Sequence, residues 1–368
     1  MEGRGRRLEE GEGLRTEQIR HAPGASPAFA RPRGGIAAAT RRTLAAGGAA
    51  LAALMVAWAG AHGAGTGAGA GATRTFRFSY AVAVRHIPAG ARRISIWVPV
   101  PQSDSHQQVL DVLVRSPLHY SFTREQRYGN RVLHVAAAAP LPDSIDLKLE
   151  VVVARQAYRV LGTETRSRAD APTLKDLGPD ALVPIDGEIA AAARQATANA
   201  HTPLEKARAI YDYVTLSMHY DKSGEGWGRG DAIRACDVRR GNCTDFHSLI
   251  IGMARSCGIP ARFVIGFPLP EHQSEGVIPG YHCWAEMYVE GVGWLPVDSS
   301  EASRHPEKRD LFFGGLDADR VAFTRGRDLE VDPPASERLN FLVYPRVEVD
   351  GAVFTGVALS FSFADLKS

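Results

Sequence analysis

Residues 239–260, RRGNCTDFHSLIIGMARSCGIP, hold the pattern that most restricts the fold of this chain. Apolar residues recur at helical spacing from position 246 to position 254, which predicts a helix with one face in a core. Gly258 suits a left-handed C-cap, and Pro260 prevents the helix from continuing. The helix is therefore expected to begin near Cys243 and to end just before Gly258.

Three strand-like segments follow this helix and indicate the fold class. Residues 262–267 (RFVIGF), 283–289 (CWAEMYV) and 294–297 (WLPV) are short and rich in β-branched and aromatic residues. Gly291-Val292-Gly293 is a tight connection between the last two, so we expect them to form an antiparallel hairpin. A helix that packs across antiparallel strands predicts an α+β domain.

Residues 73–160 show a different pattern, in which apolar and polar residues alternate. The alternation begins at Phe76, at Ile94 and at Ile145, and it indicates strands with one buried face. Gly129-Asn130 is a candidate hairpin turn. Short strands at this spacing predict an antiparallel β-sandwich ahead of the helical region.

The chain is expected to divide into four segments. Thr202 and Glu205 form a capping-box pattern, which places a helix inside the third segment. The segments are an export segment with a Gly/Ala tether at 1–72, the β-sandwich at 73–165, a catalytic domain at 166–330, and C-terminal strands that pack on the core at 331–368.

The N-terminal segment resembles an export signal. Residues 43–58 carry no charge, follow Arg41 and Arg42, and precede several small residues. This length is typical of a signal-peptide apolar region and is short for a membrane span. We therefore predict export to the periplasm or the cell envelope. A retained N-terminal anchor that tethers the protein to the membrane stays open as the alternative.

Charge and cysteine spacing exclude several classes of function. The net charge is +2 at pH 7, with the positive excess in residues 1–42, so we expect no nucleic-acid partner. The cysteines lack the paired short spacing of structural zinc sites, so we expect neither a metal nor a cofactor. One disulfide among Cys236, Cys257 and Cys283 stays open, since exported proteins form them.

Cys243 and Cys257 stand at opposite ends of the predicted helix, and this position separates their chemistry. A thiol is a weak nucleophile until it ionises, and the N-terminus of a helix favours the thiolate through its free amides and its dipole. Cys243 has that position, whereas Cys257 has the unfavourable one. The sequence therefore predicts Cys243 as the nucleophile.

Two further residues complete a candidate catalytic triad. His282 begins one strand of the predicted hairpin and Asp298 ends the other, so a turn at residues 292–293 is expected to bring them opposite each other. A thiolate nucleophile needs a histidine to exchange its proton, and the histidine needs a carboxylate that fixes its orientation. His247 is a rival base, for which we favour a packing or hydrogen-bonding role.

Tyr220 and Trp227 lie in the segment before the cysteine helix. Each is a candidate to line the substrate cleft or to donate a hydrogen bond to an oxyanion. The backbone amide of Cys243 is the preferred oxyanion donor, because the nucleophile itself positions it.

The strings GNCTDFHSLIIGMARSCGIPARFVIGF and YHCWAEMYVEGVGWLPVDSSEA resemble the bacterial transglutaminase-like family. The resemblance covers residues 185–330. It implies a papain-like fold in which a cysteine-bearing helix packs on an antiparallel sheet. It also implies Cys243 as nucleophile, His282 as general base and acid, and Asp298 as the orienting carboxylate.

The same resemblance leaves the reaction open, because similar proteins include peptidases, amidases, cross-linking acyltransferases and members without a triad. GNCTDFH departs from the Gly-Gln-Cys-Trp pattern of the animal cross-linking enzymes, which argues against cross-linking and against calcium. We predict an exported, cysteine-dependent acyl-transfer enzyme that hydrolyses a peptide, protein or peptidoglycan-peptide substrate in the cell envelope. The alternative is a non-catalytic envelope-binding module with a vestigial cysteine domain.

Overall fold

The computed structural model describes residues 71–162 and 170–367. The export signal predicted at residues 43–58 lies outside these ranges, and it therefore remains a prediction from the sequence. Within the described ranges, no helix is both long enough and apolar enough to cross a bilayer.

Two five-stranded antiparallel sheets form the β-rich part of the chain, and their buried faces share one hydrophobic core. Alternating residues of the long strands at 73–84 and 145–156 point into this core, which is why the alternation was visible in the sequence. The first sheet has the order β11-β18-β1-β6-β3, with β1 at Thr73–Val84, β3 at Gln107–Arg115, β6 at Ile145–Gln156, β11 at Glu275–Val277 and β18 at Val357–Asp365. The second has the order β17-β16-β2-β5-β4, with β2 at Arg93–Val100, β4 at Tyr120–Arg124, β5 at Arg131–Ala138, β16 at Arg346–Val349 and β17 at Ala352–Val353.

The C-terminal strands complete these two sheets. β18 pairs with β1 from Phe76↔Asp365 to Val84↔Val357, and β16 pairs with β2. Residues 73–165 therefore supply only part of each sheet, and strands from both ends of the described chain share one sandwich. The expected domain boundaries stay predictions.

Among the described residues, a four-stranded antiparallel sheet and five α-helices make up most of the rest of the structure. The sheet has the order β13-β12-β10-β15, with β10 at Ala261–Pro268, β12 at His282–Val289, β13 at Gly293–Val297 and β15 at Arg320–Arg325. The helices are α1 at Gly187–Ala196, α2 at Pro203–Ser217, α3 at Ala232–Val238, α4 at Cys243–Ser256 and α5 at Ser299–Arg304. Two short pairs join β7 (Tyr158–Arg159) to β14 (Gly315–Leu316) and β8 (His219–Tyr220) to β9 (Arg240–Gly241). The predicted α+β class is confirmed.

Helix α4 lies at the centre of this half of the molecule. It packs on β10 and β12 on one side and on α1, α2 and α3 on the others. Every residue from Cys243 to Arg255 is buried, although the sequence pattern had suggested a helix with only one buried face. The polar residues of the helix are therefore enclosed, and each needs a partner inside the protein.

The predicted helix ends agree with the structure. The Thr202 side chain accepts a hydrogen bond from the Glu205 amide, and the Glu205 carboxylate accepts one from the Thr202 amide. Gly258 follows α4 with φ = +77°, a left-handed conformation that glycine adopts without a steric cost. These signals are local, which explains why the sequence was sufficient to locate them.

The predicted hairpin exists, but its register differs from the expected one. Val289 pairs with Gly293, and Ala285 pairs with Val297, so Asp298 lies beyond the last paired residue instead of opposite His282. The register is shifted by two residues, which preserves the face of the sheet on which each side chain lies. Asp298 is the N-cap residue of α5, and its side chain turns back towards His282.

Replacing Gly266 by alanine is expected to destabilise the protein by about 1–3 kcal/mol or more. Gly266 lies at the irregularity in the β10–β15 pairing, where a Cβ atom would overlap the Val321 carbonyl group. Thermal unfolding followed by circular dichroism measures the loss. The control is Gly178→Ala, whose added Cβ would lie at an ordinary 3.6 Å from the nearest atom. Equal stabilities of the two variants would contradict the prediction.

Candidate active site

Cys243 is the first residue of α4, and a network of caps fixes this end of the helix. Asn242 accepts a hydrogen bond from the Thr244 amide at 3.0 Å, and Asp245 accepts one from the Asn242 amide at 2.9 Å. The amides of the first helical turn have no partner within the helix, so the Cys243 sulfur lies at the positive end of the helix dipole.

Asp245 also holds the loop that precedes the cysteine helix. Its carboxylate accepts hydrogen bonds from the amides of Gly228 at 2.8 Å and Gly230 at 3.1 Å. Burial raises the pKa of Asp245, and the three amide bonds oppose this shift. The side chain therefore ties the glycine-rich loop to the first turn of α4.

His282 and Asp298 are in direct contact. His282 Nε2 lies 2.7 Å from Asp298 Oδ2, and the Asp298 side chain is fully buried. Because the carboxylate is an acceptor, Nε2 is the donor in this bond. The other ring nitrogen, Nδ1, is then left for the bond between His282 and the Cys243 thiol.

The surroundings of Cys243 and His282 favour a thiolate–imidazolium pair. Burial alone would raise the pKa of Cys243, but hydrogen bonds from Cys283 and His282 and the charge of His282 lower it to about 6. Burial would lower the pKa of His282, but the charge and hydrogen bond of Asp298 raise it to about 10. Between these values the thiol is ionised and the imidazole is protonated, which is the reactive state of a nucleophilic cysteine.

Asp298 is the most heavily bonded residue of the site. It accepts hydrogen bonds from Arg320 at 2.9 Å, from Ser300 Oγ at 3.1 Å and from the Glu301 amide at 3.1 Å, besides that of His282. Burial would raise its pKa, but the charges of His282 and Arg320 hold the pKa far below its usual range. The carboxylate therefore stays ionised at any pH at which the protein works.

His247 does not act as a base in this arrangement. Its Nδ1 lies 2.8 Å from the Cys243 carbonyl oxygen, and its Nε2 accepts a hydrogen bond from the Ser299 amide at 3.2 Å. These two bonds define a neutral ring with the proton on Nδ1. Burial lowers its pKa to about 4. His247 thus connects the start of α4 to the start of α5, the hydrogen-bonding role favoured from the sequence.

Cys283 places a second thiol beside Cys243. It hydrogen-bonds the Cys243 side chain, and its sulfur lies 3.6 Å from His247 Nδ1. Burial and the neighbouring Cys243 raise the pKa of Cys283 well above its ordinary value. It therefore remains a protonated donor next to the Cys243 thiolate. All four cysteines are free, so none of the disulfides left open by the sequence is present.

A cleft of about 720 Å³ leads to the site. Tyr220 and Tyr281 line it together with His282, whereas Cys243 is only 2% exposed. Burial and the nearby Cys243 raise the pKa of Tyr220, so its hydroxyl keeps its proton. The structure therefore brings Tyr220 to the site. Trp227 is not among the cleft residues, and its ring lies 5.9 Å from the Lys222 ammonium group.

Sequence reasoning missed two residues of the site. Arg320 lies 22 positions from Asp298 in a segment without a motif, and no signal in the sequence connects the two. Cys283 follows His282 directly, and strand alternation placed it on the opposite face, away from the triad. The described part of the chain holds no group of three or more histidine, cysteine, aspartate or glutamate residues arranged for a metal ion.

Alkylation of Cys243 is expected to follow an apparent pKa of about 6, with the rate on its plateau through neutral pH. Cys257 serves as the internal reference, because a thiol at the C-terminal end of the same helix lacks these stabilising groups. Iodoacetamide labelling from pH 5 to pH 9, read by peptide mass spectrometry, gives both profiles. A Cys243 rate that rises only above pH 8 would contradict the prediction.

Comparison with known families identifies the domain that holds this site. Residues 190–299 match the model of the transglutaminase-like superfamily. The matched range includes Cys243, His282 and Asp298. An uncharacterized protein of Haemophilus influenzae is 27% identical over 308 residues, which is 72% of this chain and 83% of that protein. The resemblance found in the sequence is confirmed, and this family is one of cysteine-dependent enzymes.

One solved structure supports the fold. A candidate cysteine protease from Cytophaga hutchinsonii has a TM-score of 0.56 at 17% identity, and the match covers 81% of this chain and 92% of that one. The periplasmic domain of TgpA from Pseudomonas aeruginosa matches at 16% identity with a TM-score of 0.37, over 64% of this chain and 92% of that chain. The first likeness supports a shared fold that includes the sheet-rich N-terminal part.

Proposed function

We propose that this chain, whose residues 190–299 carry the transglutaminase-like domain, is an exported cysteine-dependent enzyme that hydrolyses a peptide or carboxamide bond. One observation carries the proposal. Cys243, His282 and Asp298 form a continuous chain of contacts in which the pKa of the thiol is lowered to about 6 and that of the imidazole is raised to about 10. A histidine held only for packing has no need of such a charge pair.

In the first half of the reaction, the Cys243 thiolate attacks the carbonyl carbon of the substrate and forms a tetrahedral oxyanion. The C–N bond then breaks, and the leaving amine takes the proton from His282 Nδ1. The product is an acyl-thioester on Cys243. Asp298 holds the imidazole in the orientation that this transfer requires, through the 2.7 Å bond to Nε2.

In the second half, water attacks the thioester while His282 Nδ1 accepts its proton. The C–S bond breaks, the carboxylic acid product leaves, and the thiolate–imidazolium pair is restored. An amine in place of water would yield a transamidated product by the same steps. Water is the default acceptor because it is present at 55 M in any dilute solution and needs no binding site of its own.

The preferred donor to the oxyanion is the backbone amide of Cys243, which has no hydrogen-bond acceptor within α4. Tyr220 is a second candidate donor, because it lines the cleft and lies near enough to Cys243 for the two groups to influence each other's pKa. Trp227 is a weaker candidate, since it is not among the residues of the cleft. The proposed substrate is an envelope peptide, protein or peptidoglycan peptide.

The test is a reaction with a peptide mixture in water enriched in ¹⁸O, with and without added hydroxylamine. Hydrolysis adds one labelled oxygen to the new carboxyl terminus, whereas transfer to the amine gives a hydroxamate of different mass. The matched control is the Cys243→Ala variant, incubated in the same way. Identical product profiles for the two proteins would refute the proposal.

A further inference from the structure

A second cavity, of about 240 Å³, lies between the β-sandwich and the catalytic sheet. Its walls include Arg155 of β6, Trp284 of β12, Arg325 of β15, and His106 in the loop before β3. None of the three triad residues lines it, although Tyr158 lines both this cavity and the substrate cleft. It is therefore a separate space that the proposed mechanism does not use.

Four buried nitrogen atoms in the walls of this cavity have no hydrogen-bond partner in the described structure. They are His106 Nδ1, Arg155 Nε, Trp284 Nε1 and Arg325 Nε. Arg155 is 2% exposed and Trp284 is 1% exposed. A buried donor without a partner is costly and rare in folded proteins. Three of the four, those of Arg155, Trp284 and Arg325, can only donate, and their concentration around one polar cavity indicates that something inside it accepts their hydrogen bonds.

One arginine of the cavity wall, Arg155, has no carboxylate oxygen within hydrogen-bonding distance. Arg325 is matched by Asp104 at 2.6 Å, and Arg262 is matched by Glu286 at 2.6 Å. The nearest carboxylate oxygen to Arg155 is that of Asp104, at 4.0 Å, which is too far for a hydrogen bond.

The Asp104 carboxylate is also engaged elsewhere, since it accepts a hydrogen bond from the His106 amide at 2.8 Å. Asp170, at the cavity edge, is exposed to solvent, which screens its charge. The buried interior therefore carries an excess of positive charge at Arg155.

We propose that this cavity binds a small oxyanion, which accepts hydrogen bonds from the guanidinium group of Arg155 and from the N–H groups of Trp284 and Arg325. A guanidinium presents a planar fork that matches the oxygens of a carboxylate, a phosphate or a sulfate. Water would satisfy the donors but would leave the buried charge of Arg155 uncompensated, whereas an oxyanion does both. At about 30 Å³ per water molecule, the cavity has room for an anion of acetate or phosphate size.

The first test measures the melting temperature of the wild-type protein in sodium acetate, sodium phosphate and sodium sulfate, each against sodium chloride at equal ionic strength. A ligand at 100 times its Kd is expected to raise the melting temperature by about 4 °C or more. Stabilisation by acetate alone identifies a carboxylate site, and stabilisation by phosphate or sulfate identifies a tetrahedral-oxyanion site. Either outcome supports the proposal. No stabilisation by any of the three overturns it and leaves water as the occupant.

Two variants then test whether the stabilising anion binds in this cavity. Arg155→Lys keeps the charge but removes the fork, and Trp284→Phe keeps an aromatic ring but removes the N–H donor. Each is expected to weaken the apparent affinity by about tenfold, the cost of one lost hydrogen bond to a charged group. The control is Arg92→Gln, which removes an arginine whose side chain is 86% exposed and lies outside the cavity. Stabilisation by the anion that is equal in all four proteins would place binding elsewhere and overturn the proposal.

Discussion

Replacing Cys243 by serine is expected to lower kcat/KM for an acyl substrate by about 10⁴-fold or more while leaving the fold intact. Oxygen takes the place of sulfur without a change in shape, so the packing of the buried residue is nearly preserved. The chemistry is not preserved, because a serine hydroxyl does not ionise near neutral pH and cannot form the charge pair with His282. A steady-state rate with a peptide found in the labelling experiment measures the loss.

The control for this substitution is Cys257→Ser, which changes the cysteine at the other end of the same helix. This variant is expected to retain the wild-type rate. Cys257 lies at the C-terminal end of α4, where its side chain contacts Thr197 and does not contact any of the three candidate triad residues. A Cys243→Ser protein that folds and retains full activity would remove the nucleophile from the proposal. It would favour the alternative of a binding module with a vestigial cysteine domain.

Features that depend on a few neighbouring residues were predictable from the sequence. The start of α4 at Cys243, its end just before Gly258 and the capping box at Thr202 all follow from residues within four positions of one another. The strands of the sandwich followed from the period of two in their apolar residues. The choice of Cys243 over Cys257 as the candidate nucleophile rests on the same kind of signal, because the end of a helix at which a residue lies is a local property.

Features that depend on how distant segments pack were not predictable. The predicted register of the hairpin was wrong by two residues. The turn sets the register, and the turn and the start of α5 together determine where the strand ends. Arg320 reaches Asp298 only because β15 lies beside β10 in the sheet. The burial of α4 on every side depends on three other helices, whose positions no motif in the chain specifies.

Cys283 shows how a correct local rule leads to an incomplete site. Regular alternation along β12 would place Cys283 and His282 on opposite faces. The Cys243 sulfur, however, lies at the end of a helix that crosses this strand, and both residues form hydrogen bonds with it. The Cys243 thiol therefore receives hydrogen bonds from two adjacent residues, an arrangement visible only after the helix is placed on the sheet.

The second large effect is expected from Asp298→Asn, which should lower kcat by about 10³- to 10⁴-fold. The amide removes the charge that raises the pKa of His282 to about 10, so that pKa falls towards its ordinary value of 6.5. The Cys243 thiol then loses part of its imidazolium partner, and its apparent pKa in alkylation rises above about 6. Rates of turnover and alkylation from pH 5 to pH 9 measure both changes.

The same variant should lose stability in a defined range of pH. The depressed pKa of Asp298 contributes stability above its ordinary value of 3.8, and this contribution is lost as the pH falls. The raised pKa of His282 contributes stability that is complete below 6.5 and is lost as the pH rises through about 10. Both contributions are present together between about pH 4 and pH 6.5, so the difference in melting temperature from the wild type is expected to be largest there.

Asp317→Asn separates the catalytic effect from the structural one. Asp317 binds Arg320 at 2.8 Å on its other side, so each of the two variants removes one carboxylate partner of the same buried arginine. Only Asp298 contacts His282. Asp317→Asn is therefore expected to lose stability while keeping kcat within about threefold and the alkylation pKa near 6. If both variants lost activity equally, Asp298 would act by holding Arg320 in place, and the orientation of His282 would not be its function.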